Sequence, residues 1–196
     1  MTKILVLDTE TTGLDTPHAL EVCARLCIFQ EGLLHRVGGI HKTYNPLKPI
    51  EPGASEINGY TDEMVKHLPP ITEFSFDCLD ITPKDTLYII GHNIRYDIDC
   101  LKNTAQGDMV GILNNAIPVC TRNLAQNYYH LSNNKLVTVA SEVLGLDSSD
   151  VNSKAHAADY DVLLCLAFAN HAIKEHGFDG IEALAQACTY RKKMYF

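Results

Sequence analysis

An apolar run that ends in acid constrains this chain more than any other stretch. In Lys3-Ile-Leu-Val-Leu-Asp8-Thr-Glu10-Thr-Thr-Gly13, the unbroken apolar residues read as a strand buried on both faces, closed by a turn at Gly13. Residues two apart share one face of a strand, so Asp8 and Glu10 point the same way. They leave the sheet near its C-terminal end, where ligands gather in α/β proteins. On this segment alone, a pair of solvated turn acids is an equally good reading.

Two later segments repeat the conflict between acid and apolar surface. Thr86-Leu-Tyr-Ile-Ile90 predicts a second buried strand. It is followed by Gly91-His92-Asn93 and a helix with Ile94, Ile98 and Leu101 as its apolar stripe and Asn93 as its N-cap. Asp97 falls within that stripe and so faces the sheet, whereas Asp99 lies off it and reads as an exposed helix acid. From Ala155 to about Glu175 the pattern is helical, with Leu164, Cys165, Phe168, Ala169 and Ala172 on the inner face. Asp161 extends that face towards the N-terminus, and His156 falls at the start of the helix or in the loop before it. A His five positions before an Asp is weak evidence by itself, because His92 and Asp97 share the spacing with His156 and Asp161. Four carboxylates drawn towards apolar surface without a matching Lys or Arg need another source of positive charge, and hard divalent ions supply it.

In chain order, Asp8-Thr-Glu10-Thr-Thr-Gly13, His92-Asn93-Ile-Arg-Tyr-Asp97 and His156-Ala-Ala-Asp-Tyr-Asp161 resemble the three motifs of the DEDD 3′-5′ exonucleases. The likeness is to the subgroup whose last motif carries a histidine, the DNA polymerase III epsilon type, and it is nearest in appearance to the exonuclease X type. It continues between the motifs through Tyr44-Asn-Pro46, Ile57-Asn-Gly-Tyr-Thr61-Asp-Glu-Met-Val65 and Cys120-Thr-Arg-Asn-Leu-Ala125. The resemblance implies an α/β fold, a ribonuclease H-like mixed β-sheet flanked by helices on both faces. It also implies two divalent ions, Mg²⁺ with Mn²⁺ able to substitute, held by Asp8, Glu10, Asp97 and Asp161. Asp8 would bridge the ions, Glu10 and Asp161 would hold the one nearer the attacking water, and Asp97 the one nearer the leaving group. His156 would be the general base, histidine being the side chain that ordinarily titrates nearest neutral pH. For substrate, the family suggests backbone amides of Thr11, Thr12 and Gly13, a wedge at Leu14, and contacts from Asn58, His92 and Asn93. Relatives often carry His where this chain has Asn58, which hydrogen-bonds but carries no charge. Substrate preference is therefore more open than reaction type.

Charge sets limits on the partner. A net charge of −8 opposes the broad basic face of a duplex binder, and Lys48, Lys66, Lys84 and Lys102 are scattered along the chain. This favours few phosphate contacts and a short grip on single-stranded 3′ ends. The 196 residues, 46% hydrophobic and without a Pro-, Gly- or Ser-rich linker, read as one exonuclease domain spanning 1–196. No signal peptide or membrane span is read, and the seven cysteines lack a Cys-x-x-Cys pair, so reduced thiols and a cytoplasmic location are expected.

Strands are expected near 2–8, 20–29 and 33–44, as a meander turning at Glu31-Gly32, and again near 86–90 and 117–119. Helices are expected near 61–67, 72–80, 121–129, 136–145, 157–175 and 180–188. His171 and His176 read as solvent-facing, and Tyr128 with Tyr129 as helix-end packing. The expected activity is Mg²⁺-dependent 3′-to-5′ hydrolysis of single-stranded DNA, releasing 5′-mononucleotides. Alternatives are an exoribonuclease of the ribonuclease T or oligoribonuclease kind, a polymerase-associated proofreading or docking module, and a hydrolase of small nucleotides. The short segment after Asp179, with its basic Arg191-Lys192-Lys193, offers little tether to a polymerase. Monomer and homodimer both remain open.

Overall fold

The structure, a computed structural model, describes residues 1–189, so the basic Arg191-Lys192-Lys193 end lies outside the described residues. Strands β1 (Thr2–Thr11), β2 (Ala19–Gln30) and β3 (Leu33–Thr43) form the expected antiparallel meander. The turn at Glu31 and Gly32 is tight because both residues take left-handed backbone, with φ of 51° and 72°, as a two-residue hairpin requires. β4 (Thr86–Gly91) and β5 (Ile117–Cys120) join in parallel, giving the order β3-β2-β1-β4-β5.

Nine helices stand among the described residues. They are α1 (Pro52–Asn58), α2 (Asp62–Val65), α3 (Arg95–Lys102), α4 (Asp108–Asn115), α5 (Thr121–Tyr128), α6 (Leu136–Glu142), α7 (Ser148–Lys154), α8 (Ala158–His176) and α9 (Ile181–Ala187). Alternate residues of β1 feed two separate cores. Ile4 and Val6 join Cys165, Phe168 and Ala169 of α8 on one face. Leu5 and Leu7 join Ile98 and Leu101 of α3 and Ile112 of α4 on the other. A central strand buried on both faces is what an unbroken apolar run encodes, and each fully buried aliphatic side chain contributes about 1.5–3 kcal/mol.

Several expected elements change. The helix near 72–80 is replaced by two single 3-10 turns, Ile71–Glu73 and Asp77–Leu79. Phe74 and Phe76 explain the break, since both rings enter one core, edge-to-face with centroids 5.1 Å apart, and an extended link suits two residues that share a face. Helices α1, α4 and α7 occupy stretches where none was expected. Asn93 does not cap α3. It sits in left-handed backbone, φ 68°, and no side-chain cap bond is made. His176 is not solvent-facing but packs among the rings of Tyr128, Tyr129 and Phe178. The left-handed cap Gly177 turns the chain there, and the Phe178 amide donates back to the Ile173 carbonyl, which brings Phe178 against the end of α8. No helix among the described residues is long and apolar enough to cross a membrane.

One mismatch of strand length creates the site. β4 pairs with β1 only as far as Val6 and Ile90, whereas β1 stays paired with β2 as far as Thr11. Asp8, Thr9 and Glu10 therefore lie on an overhang with one bare edge. Gly91 marks where β4 gives way, because a Cβ there would stand 2.6 Å from the Leu7 carbonyl oxygen.

Candidate active site

A bare strand edge leaves backbone donors that must be satisfied when buried. The Thr9 N–H is one of them, and it donates to Oδ1 of Asp97 at 3.0 Å, while the Thr9 hydroxyl donates to the same oxygen at 2.8 Å. Asp97 thus occupies the place the next residue of β4 would have taken, and it is only 4% exposed. Asp161 enters from the first turn of α8 on the opposite face of the sheet. Asp8, Glu10, Asp97, Asp161 and His156 all line one cleft of about 530 Å³.

The electrostatics of that cleft are those of acids crowded together. Burial first, then the charges of Asp97, Asp161, Glu10 and Glu21, hold the Asp8 carboxyl well above the usual carboxylate range. Burial, Asp161, Glu21 and Asp97 push Glu10 up to about 8, opposed by a hydrogen bond from Asn58. Asp97 is pushed up to about 7 by burial, with the two Thr9 donors pulling down. Asp161 is raised by burial and drawn back by the charge and backbone amide of His156, which places the histidine beside it. His156 itself is exposed, on the loop between α7 and α8, with left-handed φ of 65°.

A second chamber of about 430 Å³ adjoins the first and shares Glu10, Thr11, Asn93 and Tyr96 with it. Its remaining wall is largely apolar, with Leu14, Ala54 and Ile57. Leu14 is 83% exposed, so it is not a core residue. The loop that carries it is held from several sides. Gly13, φ 149°, lies so close to Glu51 that a Cβ would overlap the carboxylate. The Glu51 side chain accepts from the Leu14 and Asp15 amides at 3.4 and 3.5 Å. The Tyr96 hydroxyl donates to the Gly13 carbonyl at 2.6 Å and lies 2.9 Å from the Thr11 hydroxyl.

Three of the residues expected to contact substrate also hydrogen-bond within the protein. Thr12 is fully buried and its amide donates to the His18 carbonyl. Asn58 lines the apolar chamber, but its amide donates to the Thr11 carbonyl at 3.1 Å and its oxygen accepts the Tyr60 N–H. His92 lies 3.0 Å from the Thr121 hydroxyl through Nδ1 and 2.7 Å from the Asn134 carbonyl through Nε2. Since a carbonyl only accepts, Nε2 carries the proton. Burial and the Arg122 charge hold the ring down to about 4, so the imidazole is neutral, and the one Thr121 hydroxyl proton lies between Nδ1 and the Gly91 carbonyl. Each of these groups has a protein partner, while His92 still lines the acidic cleft and Asn58 the apolar chamber. Thr11, Gly13, Leu14 and Asn93 stand on the walls of the two chambers.

Other residues of the site went unread in the sequence. Glu21 faces Glu10 across the β1–β2 register, is 7% exposed, and meets His41 at 2.6 Å. A lone acid within Ala19-Leu-Glu21-Val-Cys-Ala carries the same signal that exposed Asp8. Thr9, Tyr96 and Glu51 carry no such signal. Arg122 and Lys135 line the acidic cleft, yet they lie on separate elements, so no basic stripe marks them.

The side chains present fit divalent metal. Four carboxylates share one cleft, and among the described residues no Lys or Arg forms an ion pair with any of them. No three His, Cys, Asp or Glu side chains among the described residues close on a single ion by themselves. Mg²⁺ does not require that, since it keeps several waters and takes one or two carboxylates together with substrate phosphate oxygens.

Strand order and two-sided helix packing define an α/β protein of the ribonuclease H-like class. The Exonuclease (RNase_T) family matches residues 5–169, and the chain belongs to that family. The DNA polymerase III subunit epsilon of Pasteurella multocida (strain Pm70) is 27% identical over 170 residues, covering 83% of this chain. The match spans 65% of that relative, just under two thirds of its length. Among solved structures, exonuclease X in complex with 5′ overhanging duplex DNA superposes with a TM-score of 0.69 at 19% identity, covering 95% of this chain and 99% of the other. E. coli exonuclease I in complex with a dT13 oligonucleotide gives 0.68 at 17% identity, with 91% and 43% covered. At these identities the superpositions speak for the fold.

Proposed function

We propose that this chain is one exonuclease domain that removes nucleotides from the 3′ ends of single-stranded DNA, releasing 5′-mononucleotides. Hydrolysis depends on two divalent ions, Mg²⁺ with Mn²⁺ able to substitute. The observation that carries the reading is the set of four carboxylates whose proton affinities are raised by burial, with Asp8, Glu10 and Asp97 raised further by the charges of their neighbours in the set. A fold bears that cost where a cation is to be held.

Asp8, Glu10, Asp97 and Asp161 would hold the metal ions. The chemistry supplied by two such ions is positive charge for a hydroxide-like nucleophile, for the phosphoryl oxygens and for the leaving 3′ oxygen. His156 takes the proton of the attacking water as the P–O bond forms, and its open loop position lets it pass that proton to solvent. Asp161 steadies the imidazole through the His156 backbone amide. Thr9 fixes Asp97 on the bare strand edge. The terminal base would enter the apolar chamber against Leu14 and Ile57, leaving the sugar at the shared wall of Thr11, Asn93 and Tyr96. The net charge of −8 supports a short grip on a strand end over a duplex footprint. DNA as substrate is supported by relatives that are named as a DNA polymerase subunit or were solved on DNA.

A time course on a 5′-labelled single-stranded DNA oligonucleotide, with a matched RNA strand, tests the reading. A ladder shortening from the 3′ end, abolished by EDTA and faster on DNA, is expected. Intact oligonucleotide after long incubation with folded protein and Mg²⁺ would overturn it.

A further inference from the structure

The cleft that gathers the four carboxylates also contains two exposed cations, Arg122 and Lys135. Arg122 lies in the first turn of α5, and Lys135 immediately precedes α6. Neither forms an ion pair among the described residues. In a chain of net charge −8, two such cations on an acidic cleft call for an anion.

Their placement is indexed to the site floor by one side chain. His92, in the turn between β4 and the helix of Asp97, lies 3.0 Å from the Thr121 hydroxyl and 2.7 Å from the Asn134 carbonyl. Thr121 is the residue before Arg122, and Asn134 the residue before Lys135. The Thr121 hydroxyl also lies 3.2 Å from the Gly91 carbonyl, the last residue of β4. Both cations are thus one residue away from a fixed point, and both fixed points hang on the turn that leads into the helix of Asp97. Burial keeps this imidazole neutral at working pH, so it acts as a bracket and adds no charge of its own.

Resting on the exonuclease reading above, we propose that Arg122 and Lys135 form a clamp for the phosphodiester next to the scissile one, set in register by His92. Arg presents a planar fork that suits two phosphate oxygens, and Lys a point charge that tolerates sliding as the strand advances. The clamp would make a backbone phosphate, rather than base identity, the feature read beyond the terminal nucleotide. It would favour an oligonucleotide over a dinucleotide that lacks a second phosphate. With only two contacts, the grip stays short and salt-sensitive.

The test is fluorescence anisotropy on a 5′-labelled single-stranded DNA, with Ca²⁺ in place of Mg²⁺ to slow hydrolysis, for wild type and the Arg122→Gln/Lys135→Gln variant. Parallel lanes in Mg²⁺ follow shortening. Each phosphate contact on a single strand contributes about 0.7 to the slope of log affinity against log salt. The variant should lose about 1.4 of that slope for its two contacts. A methylphosphonate at the linkage next to the scissile one should weaken wild-type binding about tenfold and leave the variant nearly unchanged. Arg122→Lys/Lys135→Arg should restore the slope, which a merely structural role for these exposed residues would not require. Equal slopes and equal sensitivity to the neutral linkage, with both proteins shortening the strand, would overturn the clamp and leave the exonuclease reading intact. A wild type that neither binds nor shortens DNA would remove both.

Discussion

Asp97 and His156 stand at opposite ends of one site in how the fold holds them. Asp97 is buried on a helix, with two donors from Thr9 converging on one carboxylate oxygen. His156 is exposed, on a loop, in left-handed backbone. The groups proposed to hold metal are fixed by strand, helix and sheet edge, while the group proposed to move a proton is carried by a short connection. A metal site gains from fixed geometry, because ligands assembled in advance lose little freedom when the ion arrives. A proton carrier must approach water and then release its proton to solvent.

That contrast is most open to attack at Asp97. Asp97→Asn removes a metal-holding charge, and its exonuclease rate should fall by more than the roughly 10²- to 10⁴-fold typical of losing a general base. Manganese binding, followed by electron paramagnetic resonance, should weaken in the same variant. For His156→Ala the rate should fall within that 10²- to 10⁴-fold range, with manganese binding close to wild type. Equal loss of metal binding in both variants would erase the distinction between holder and carrier.

Thermal stability against pH probes the crowded side of the comparison. In the folded protein Glu10 is pushed up to about 8 and Asp97 to about 7, both above their unfolded values. The folded state therefore binds more protons than the unfolded chain between about pH 4 and pH 8. Stability from these groups is fully present below about pH 4, declines as pH rises from there, and is lost once pH has passed the folded values near 7 and 8. The melting temperature of EDTA-treated protein should accordingly drop over that range, and added Mg²⁺ should raise it more at pH 8 than at pH 6. A melting temperature that rises with pH in the absence of metal would show that the acids do not repel one another.

Smaller effects are expected further out. Thr9→Val keeps the backbone donor to Asp97 and removes the hydroxyl, so chemical denaturation should report a loss of about 1.5–3 kcal/mol, the usual range for a hydrogen bond to a charged group. Leu14→Ala should leave stability within about 0.5 kcal/mol, as exposed substitutions do. Its KM for single-stranded DNA should rise about tenfold through weaker contact with the terminal base. Unchanged KM would remove Leu14 from the substrate path.

Some of this was plain in the sequence for physical reasons. Residues Ile4 to Leu7 have one comfortable home, the middle of a two-sided sheet, and the position of Asp97 within the Ile94, Ile98 and Leu101 stripe directs its carboxylate inward. The ordered motifs point to the exonuclease family that the chain proves to match. Short helices left less trace. α1 spans seven residues, too few for a repeating apolar stripe, though Pro52 at its start and Gly59 past its end are the usual punctuation. α7 likewise announces itself only through Asp147, whose side chain caps the Ser149 and Asp150 amides. The hydrogen bonds that Thr9 and His92 make could not be read in advance. The first matters because β4 stops at Gly91, and the second because Thr121 and Asn134 come to meet it, and both facts belong to the tertiary structure.

The account rests on buried carboxylates that share protons until a cation displaces them. Titration calorimetry of Mn²⁺ into metal-free protein, at pH 6.5 and pH 8.5 and in buffers of different ionisation enthalpy, measures those protons directly. Two ions should bind, with more protons released at pH 6.5 than at pH 8.5. Binding that releases no protons at either pH, or no binding at all, would contradict the account.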